Sequence, residues 1–190
     1  MALITNVLVS NITNLSEARY CSGMGVQFLA FPLNVVDYQL FKDITGWVKG
    51  PKMILDISSS PQIPSSYNEY GADYILVRED QFNSLPSATS MLTIVKYKPG
   101  ITAKENLLKR KDQIAYLLVD DQNKSVIQNL ATEGFRVLMK LEDETMPFLH
   151  ELEAWPIQGI VISGRPETKP GLTDYDHLSS VLEELEVNED

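Results

Sequence analysis

Along the chain, short runs of apolar residues alternate with longer segments in which apolar positions recur at helical spacing. The apolar runs have the length of strands and are nearly continuous, which is typical of parallel strands buried on both faces. Eight such runs predict strands over residues 4–10, 27–32, 52–57, 73–78, 92–98, 115–120, 136–141 and 159–163. The segments between them predict helices over residues 15–22, 37–48, 65–70, 82–88, 103–111, 124–132, 147–154 and 174–186.

The order of these elements predicts a fold class. Repeated strand and helix units build parallel sheets, and a glycine before a strand lets the preceding helix turn back. Glycines stand at this point at Gly25, Gly50, Gly71 and Gly134. We predict an α/β fold, a compact single-domain (β/α)8 TIM barrel with short βα loops over residues 1–190, with an acidic tail from about residue 186. The alternative is an open doubly wound sheet, although its dinucleotide form is disfavoured because no G-x-G-x-x-G turn is present.

The length and net charge of the chain restrict its possible loop lengths and binding partners. A chain of 190 residues is short for such a barrel, which takes about 250 residues, so its loops must be short. The net charge is −10 and the densest basic run is Lys109-Arg110-Lys111, which argues against a nucleic-acid partner because phosphates need clustered cations. The single cysteine, Cys21, excludes an internal disulfide and fits a cytoplasmic location. We expect no membrane association, because no signal segment or membrane-length apolar stretch is present.

Polar residues close most of the apolar runs, and the active sites of such barrels lie at the carboxyl ends of the strands. Opposite charges gathered there can bind and polarise an anionic or carbonyl-bearing ligand. The candidates are Ser10, Asp56, Arg78, Lys96, Asp120, Lys140 and Ser163. The alternative is that several of them simply begin loops. We predict no metal and no cofactor, because the sequence has no His/Cys cluster and its carboxylates are scattered among strand ends beside cations.

The start of the chain resembles the phosphoribosylanthranilate isomerase family of tryptophan biosynthesis. That family opens with a strand reading Lys-Ile-Cys-Gly-Ile-Thr and a helix that ends near Gly-x-Gly. Here Ile12-Thr13-Asn14, Ala18-Arg19-Tyr20 and Gly23-Met24-Gly25 fit, whereas Ser10 stands at the cysteine position and Asn11 at the glycine. The resemblance implies that Asp120, after the sixth strand, is the general acid of an Amadori rearrangement. It also matches Lys96 to the lysine that ends the family's fifth strand.

The eighth strand and its loop resemble the family's phosphate-binding segment. Glu167, Pro170-Gly171 and Asp174 align with it, which implies phosphate contacts from Ser163, Gly164 and Arg165. Arg78, Lys140 and Asp56 complete the expected substrate-binding set. The sequence also departs from the family, because the carboxylate-binding Pro-x-Ser-x-Arg motif is missing and Glu142-Asp143-Glu144 follows the seventh strand.

Three functions follow as alternatives. The first is isomerisation of a small phosphorylated sugar, with Asp120 as acid and Lys96 or a substituted group as base. Ser10 alone does not serve as the base, because a hydroxyl is far less ionised near neutral pH than a thiol. The second is a catalytically inert paralogue that acts as a ligand-binding or interaction protein. The third is aldol or Schiff-base chemistry at a strand-end lysine. Phe41, Trp47 and Trp155 are expected in the core, with the interface of a homodimer as the alternative.

Overall fold

The computed structural model of the chain describes residues 2–86, 89–120, 123–141, 152, 154–164 and 175–187. Eight parallel strands form a closed barrel in which each strand pairs with its neighbours in sequence and the last pairs with the first. The strands are β1 Asn6–Ser10, β2 Phe28–Pro32, β3 Lys52–Asp56, β4 Tyr74–Val77, β5 Leu92–Tyr97, β6 Ile114–Val119, β7 Val137–Lys140 and β8 Gly159–Ser163. The α-helices are α1 Leu15–Gly23, α2 Tyr38–Thr45, α3 Glu79–Ser84, α4 Lys104–Lys109, α5 Lys124–Thr132 and α6 Asp176–Glu184. The predicted (β/α)8 fold is thereby confirmed.

Two of the segments between strands differ from the expected helices. Between β3 and β4 there is a single 3-10 turn, Tyr67–Tyr70, in place of a longer helix. Helix α3 begins at Glu79, three residues before the expected start, because the Gln81 side chain accepts a hydrogen bond from the backbone N–H of Arg78 at 2.9 Å and closes the first turn. The helix expected at 147–154 falls mostly outside the described residues.

The returns from helix to strand use glycines in the left-handed conformation. After α1, Gly25 has a φ of 79°, and the N–H of Val26 reaches back to the carbonyl oxygen of Cys21 at 3.1 Å. After α5, Gly134 has a φ of 78°, with the same bond from Phe135 to Leu130 at 3.1 Å. A side chain at these positions would be strained, so glycine ends the helix and directs the chain into the next strand.

The alternation of side chains along each strand produces two apolar layers. One set points outward and packs between the barrel and its helices, as Val7, Val9 and Phe31 do. The other set fills the barrel interior. Its central members are Leu8, Ala30, Ile54, Leu76, Ile94, Leu118, Leu138 and Val161. Because the period is two, the backbone position two residues after each of these lies on the interior side again, at the carboxyl end of the barrel.

Aromatic side chains close the opposite, N-terminal end of the interior. The rings of Phe28, Tyr74 and Tyr116 lie with centroids 5.6–6.1 Å apart, in edge and tilted arrangements. The Arg136 guanidinium lies over the Tyr116 ring, 5.1 Å from its centroid. Such ring contacts add to the stability gained by burial.

Not all of the aromatic residues that were expected in the core are buried. Cys21 and Phe41 are buried and Trp155 is half-buried, but Trp47 is 75% exposed, so its expected place in the core is wrong. The reason is local: α2 ends at Thr45, so Trp47 lies in the turn beyond the helix. Within the described residues, no helix is long and apolar enough to cross a membrane.

Candidate active site at the carboxyl ends of the strands

Six of the predicted site residues line one cavity of about 110 Å³ at the carboxyl end of the barrel interior. Each follows an interior apolar residue by two positions, as Asp120 follows Leu118 and Lys140 follows Leu138. The six residues are Ser10, Asp56, Lys96, Asp120, Lys140 and Ser163. Strand periodicity therefore places side chains from six strands at one mouth.

Asp56 lies deepest in this group and is only 8% exposed. Its Oδ1 atom accepts hydrogen bonds from the backbone N–H of Ser58 at 2.8 Å and from the Ser58 hydroxyl at 2.5 Å. Its Oδ2 atom lies 3.9 Å from Nζ of Lys96, whose side chain is 30% exposed. This distance gives electrostatic attraction without a normal hydrogen bond, so the Lys96 ammonium keeps its donors available for a ligand.

Lys140 and Asp120 bring a second pair of charges to the mouth. Lys140 is half-buried and Asp120 is exposed. No ion pair or hydrogen bond of the Lys140 ammonium is found within the described part of the chain. An ammonium has three donors, so Lys140 and Lys96 together can bind an anion.

On the side of the mouth formed by β1 and β8, the polar groups of the two strands hydrogen-bond to one another. The Ser10 hydroxyl lies 3.2 Å from the carbonyl oxygen of Ile162, to which it donates, and 3.2 Å from the Ser163 hydroxyl. The backbone N–H of Gly164 donates to the Ser10 carbonyl oxygen at 2.7 Å. Among the residues that the structure describes, Ser10 therefore has no basic partner. The Gly164 amide is already hydrogen-bonded within the protein. Asn11 follows with a φ of 61°, a conformation that asparagine tolerates better than most residues.

A buried carboxylate that was not predicted from the sequence lies behind this side of the mouth. Glu17, on α1, is fully buried. A Cβ atom added to Gly164 would lie 2.3 Å from Glu17 Oε1, so Gly164, directly after β8, packs closely against this side chain. Burial and the nearby Glu17 charge raise the pKa of the Cys21 thiol to about 12.

Arg78 is absent from the lining of the mouth cavity and lies instead beside a neighbouring pocket. Its guanidinium donates from Nε and Nη2 to the two carboxylate oxygens of Asp80, each at 2.9 Å. Its Nη1 donates to the carbonyl oxygens of Ser58 and, at 3.1 Å, Ser60. These bonds hold the pKa of Asp80 below its usual value. Arg78 thus holds the loops after β3 and β4 together. Arg165 lies outside the described residues.

Taken together, the mouth contains two cations, two carboxylates and two hydroxyls around a small cavity. This set can bind an anionic group and supply a proton donor and acceptor to the same ligand. Within the described residues, no group of three His, Cys, Asp or Glu side chains is placed to hold a metal ion.

No protein-family model and no curated protein significantly matches the sequence. The structure is similar to phosphoribosyl anthranilate isomerase from Thermus thermophilus, with a TM-score of 0.72 and 15% identity over 95% of this chain and 98% of that one. For N-(5'-phosphoribosyl)anthranilate isomerase from Pyrococcus furiosus, the TM-score is 0.67 with 16% identity, at 95% and 98% coverage. A truncated 3-deoxy-D-arabino-heptulosonate 7-phosphate synthase from Thermotoga maritima also gives 0.67 and 16%, at 95% and 84% coverage. At these identities, the likeness establishes the fold that the chain shares with these enzymes.

Proposed function

We propose that this barrel binds a small phosphorylated metabolite at the carboxyl ends of its strands and isomerises it by acid–base chemistry. The observation that carries the proposal is the convergence of Asp56, Lys96, Asp120 and Lys140, from four strands, on one cavity. A charge in a confined site such as that of Asp56 reduces stability unless it is compensated. Charged groups placed in this way are characteristic of functional sites.

The anionic group of the ligand would be bound by the two lysines. The Lys140 ammonium has no partner within the described residues, and the Lys96 ammonium has only the 3.9 Å contact with Asp56. On the other side of the mouth, the Gly164 amide is already hydrogen-bonded to the carbonyl oxygen of Ser10. The electrostatics therefore favour phosphate binding on the lysine side. Binding by Ser163, Gly164 and Arg165 stays a prediction.

Isomerisation of a sugar needs a proton to be delivered to one atom and another to be removed from a neighbouring carbon. Asp120, which the family resemblance assigns as the acid, is exposed at the mouth and able to reach a bound ligand. Asp56 is the best candidate for the base. Its Oδ1 atom is fixed by Ser58, which leaves Oδ2 facing Lys96 and the cavity. The Lys96 charge would stabilise the negative charge that develops on the substrate.

A ligand-binding barrel without catalysis is the second candidate, and the bonding of Ser10 favours it. At the position where the resembling family has its basic cysteine, the hydroxyl donates to the carbonyl oxygen of Ile162, and none of the described residues next to it is a base. If Asp56 does not replace the cysteine, binding remains and turnover is lost. Schiff-base chemistry is less well supported, since it uses a lysine in apolar surroundings and Lys96 lies near a carboxylate.

Phosphoribosylanthranilate is the substrate to test first, because two of the similar structures are isomerases named for it. The purified chain is mixed with this compound, and its fluorescence reports both binding and turnover. We expect turnover by the wild type and a loss of about 10²–10⁴-fold in Asp56→Asn and Asp120→Asn, as for removal of an acid or base. Ser10→Cys serves as the matched variant at the family cysteine position.

The outcomes separate the two candidates. Turnover that both aspartate variants abolish supports an isomerase with a substituted base. Binding without turnover, together with activity gained in Ser10→Cys, supports the inert binder and shows that only the base is missing. If this sugar phosphate is neither bound nor converted, both candidates are contradicted for it.

A further inference from the structure

A second and larger pocket adjoins the mouth. It has a volume of about 490 Å³ and lies over the carboxyl ends of β3, β4 and β5. Lys96 lines both this pocket and the mouth cavity, so the two spaces meet at its side chain. We call this second space the β3–β5 pocket; its lining includes Ser58, Arg78, Lys96, Lys98, Ile101 and Thr102.

The volumes indicate that the mouth alone does not hold a whole metabolite. Pockets that bind small molecules usually measure about 300–1,000 Å³, whereas the mouth cavity measures about 110 Å³. That space suits one small charged group. The β3–β5 pocket, at about 490 Å³, has the size for the remainder of a ligand.

The charges in the β3–β5 pocket point to an anionic group on that remainder. Arg78 and Asp80 neutralise each other through two hydrogen bonds. The Glu79 side chain is held in place by the protein, because its carboxylate accepts a hydrogen bond from the backbone N–H of Ala103 at 2.9 Å. Lys98 is exposed, and its ammonium has no ion pair among the residues that the structure describes. The Glu79 carboxylate keeps its negative charge, and Lys96 has the 3.9 Å contact with Asp56. Lys98 is therefore the cation of the pocket that has no ion partner among the described residues.

The loop that carries Lys98 is held in place by its own hydrogen bonds. The N–H of Lys98 donates to the Thr102 hydroxyl at 2.9 Å, and its carbonyl oxygen accepts from the N–H groups of Ile101 and Thr102 at 3.1 and 2.9 Å. The Ile101 side chain is 78% exposed at the pocket. The loop thus presents a cation and an apolar surface in a fixed geometry, which lowers the entropy lost on binding.

We propose that the β3–β5 pocket is a second ligand subsite and that the ligand is a sugar derivative with an anionic group at each end. One anionic group binds between Lys96 and Lys140, the carbon chain passes Lys96, and the second group binds at Lys98 with Ile101 against the chain. This inference rests on the proposed function, because it takes the mouth as the site of the first anionic group. The second group is a phosphate or a carboxylate.

Isothermal titration calorimetry on the full chain tests the subsite with three probes. Glucose 6-phosphate carries one anionic group, 6-phosphogluconate adds a carboxylate and fructose 1,6-bisphosphate adds a phosphate. We expect at least one doubly anionic probe to bind about tenfold more tightly than glucose 6-phosphate, since a hydrogen bond to a charged group is worth about that factor. Lys98→Ala should abolish this advantage and leave glucose 6-phosphate binding unchanged.

Matched variants distinguish a local subsite from a general charge effect. Lys109→Ala removes an exposed lysine on α4 that lines neither space and should change no affinity, while Lys140→Ala should weaken all three probes. Lys98→Gln, which keeps the length of the side chain, should behave like Lys98→Ala. The subsite is overturned, with the proposed function intact, if the advantage is missing in the wild type, survives Lys98→Ala, or falls equally in Lys109→Ala. If no probe binds, the mouth proposal fails and the subsite fails with it.

Discussion

The two ends of the barrel interior are built from the same strands and have opposite character. At the N-terminal end, Phe28, Tyr74 and Tyr116 fill the space with interlocking rings. At the carboxyl end, four positions after Tyr116 and directly past the end of β6, Asp120 shares a small cavity with charged residues of other strands. A single strand thus contributes a packing residue at one end and a charged residue at the other.

The difference shows which end of the interior stabilises the fold and which end can bind and convert a ligand. The aromatic end removes apolar surface from water and has ring contacts in addition. The charged end removes Asp56 from water and stabilises it with Ser58 and a long contact to Lys96, which gives little net stability. We therefore expect substitutions at the aromatic end to change the free energy of unfolding, and substitutions at the charged end to change ligand binding.

The largest effect is expected for Phe28→Ala. Phe28 is buried and contacts both tyrosine rings, so its truncation should lower the free energy of unfolding by about 3–5 kcal/mol. Urea denaturation followed by circular dichroism measures this change. Tyr74→Phe, which keeps the ring, is the control and should have a much smaller effect. A loss below about 1 kcal/mol in Phe28→Ala would contradict the assignment of stability to this end.

Gly164→Ala tests whether the charged end also contains a site of close packing that contributes to stability. The added methyl group would lie 2.3 Å from Glu17 Oε1, so we expect a destabilisation of about 1–3 kcal/mol from overpacking. Gly23→Ala is the matched control, because a Cβ there meets nothing within 4 Å. Thermal unfolding of the two variants should differ clearly, and equal melting temperatures would show that Gly164 and the Glu17 side chain move apart to accommodate the methyl group.

Asp80→Asn should have a smaller effect, which depends on pH. The pKa of Asp80 is lowered from 3.8 by its bonds to Arg78, so the ionised form stabilises the folded state. The contribution is present above pH 3.8 and is lost as the pH falls through the folded pKa. Because the side chain is 67% exposed, we expect less than about 1 kcal/mol at pH 7. Urea titrations at pH 7 and at successively lower pH values below 3.8 should show the gap between wild type and Asp80→Asn closing. Asp112→Asn, at an exposed aspartate with no ion pair among the described residues, is the control and should change the free energy of unfolding little at pH 7.

The smallest change in stability is expected for Lys140→Met. The lysine ammonium has no ion pair within the described residues, and methionine retains an unbranched apolar side chain. The free energy of unfolding should change by no more than about 0.5 kcal/mol, while phosphate-containing probes should bind at least about tenfold more weakly. A destabilisation above about 1 kcal/mol without loss of binding would assign Lys140 to packing.

The sequence was sufficient to predict the barrel and six of the seven strand-end residues that were expected at the mouth, because both follow from local periodicity. Apolar runs of strand length alternate with helical segments, and the period of two places Asp56 and Lys96 on the interior side where β3 and β5 end. The fold could therefore be predicted without knowledge of any long-range contact.

Other features depended on contacts that periodicity does not encode. Arg78 occupies the same kind of position as Lys96, yet its side chain is drawn to Asp80 and to the loop after β3. Glu17 looks like an ordinary first-turn acid of a helix, and only the approach of Gly164 identifies it as buried beside the mouth. Trp47 is a large aromatic residue of the kind usually found in the core, but it lies just past the end of a helix that was expected to be longer.

The Arg78 guanidinium has a thermodynamic consequence for recognition. By joining its own helix to the carbonyl oxygens of two residues in the preceding loop, it makes one wall of the β3–β5 pocket rigid before any molecule arrives. Binding against that wall should require little ordering of the backbone, and so should combine favourable enthalpy with a small entropic penalty. Selectivity would then come from ligand shape, because a fixed wall cannot adapt to a molecule of a different length.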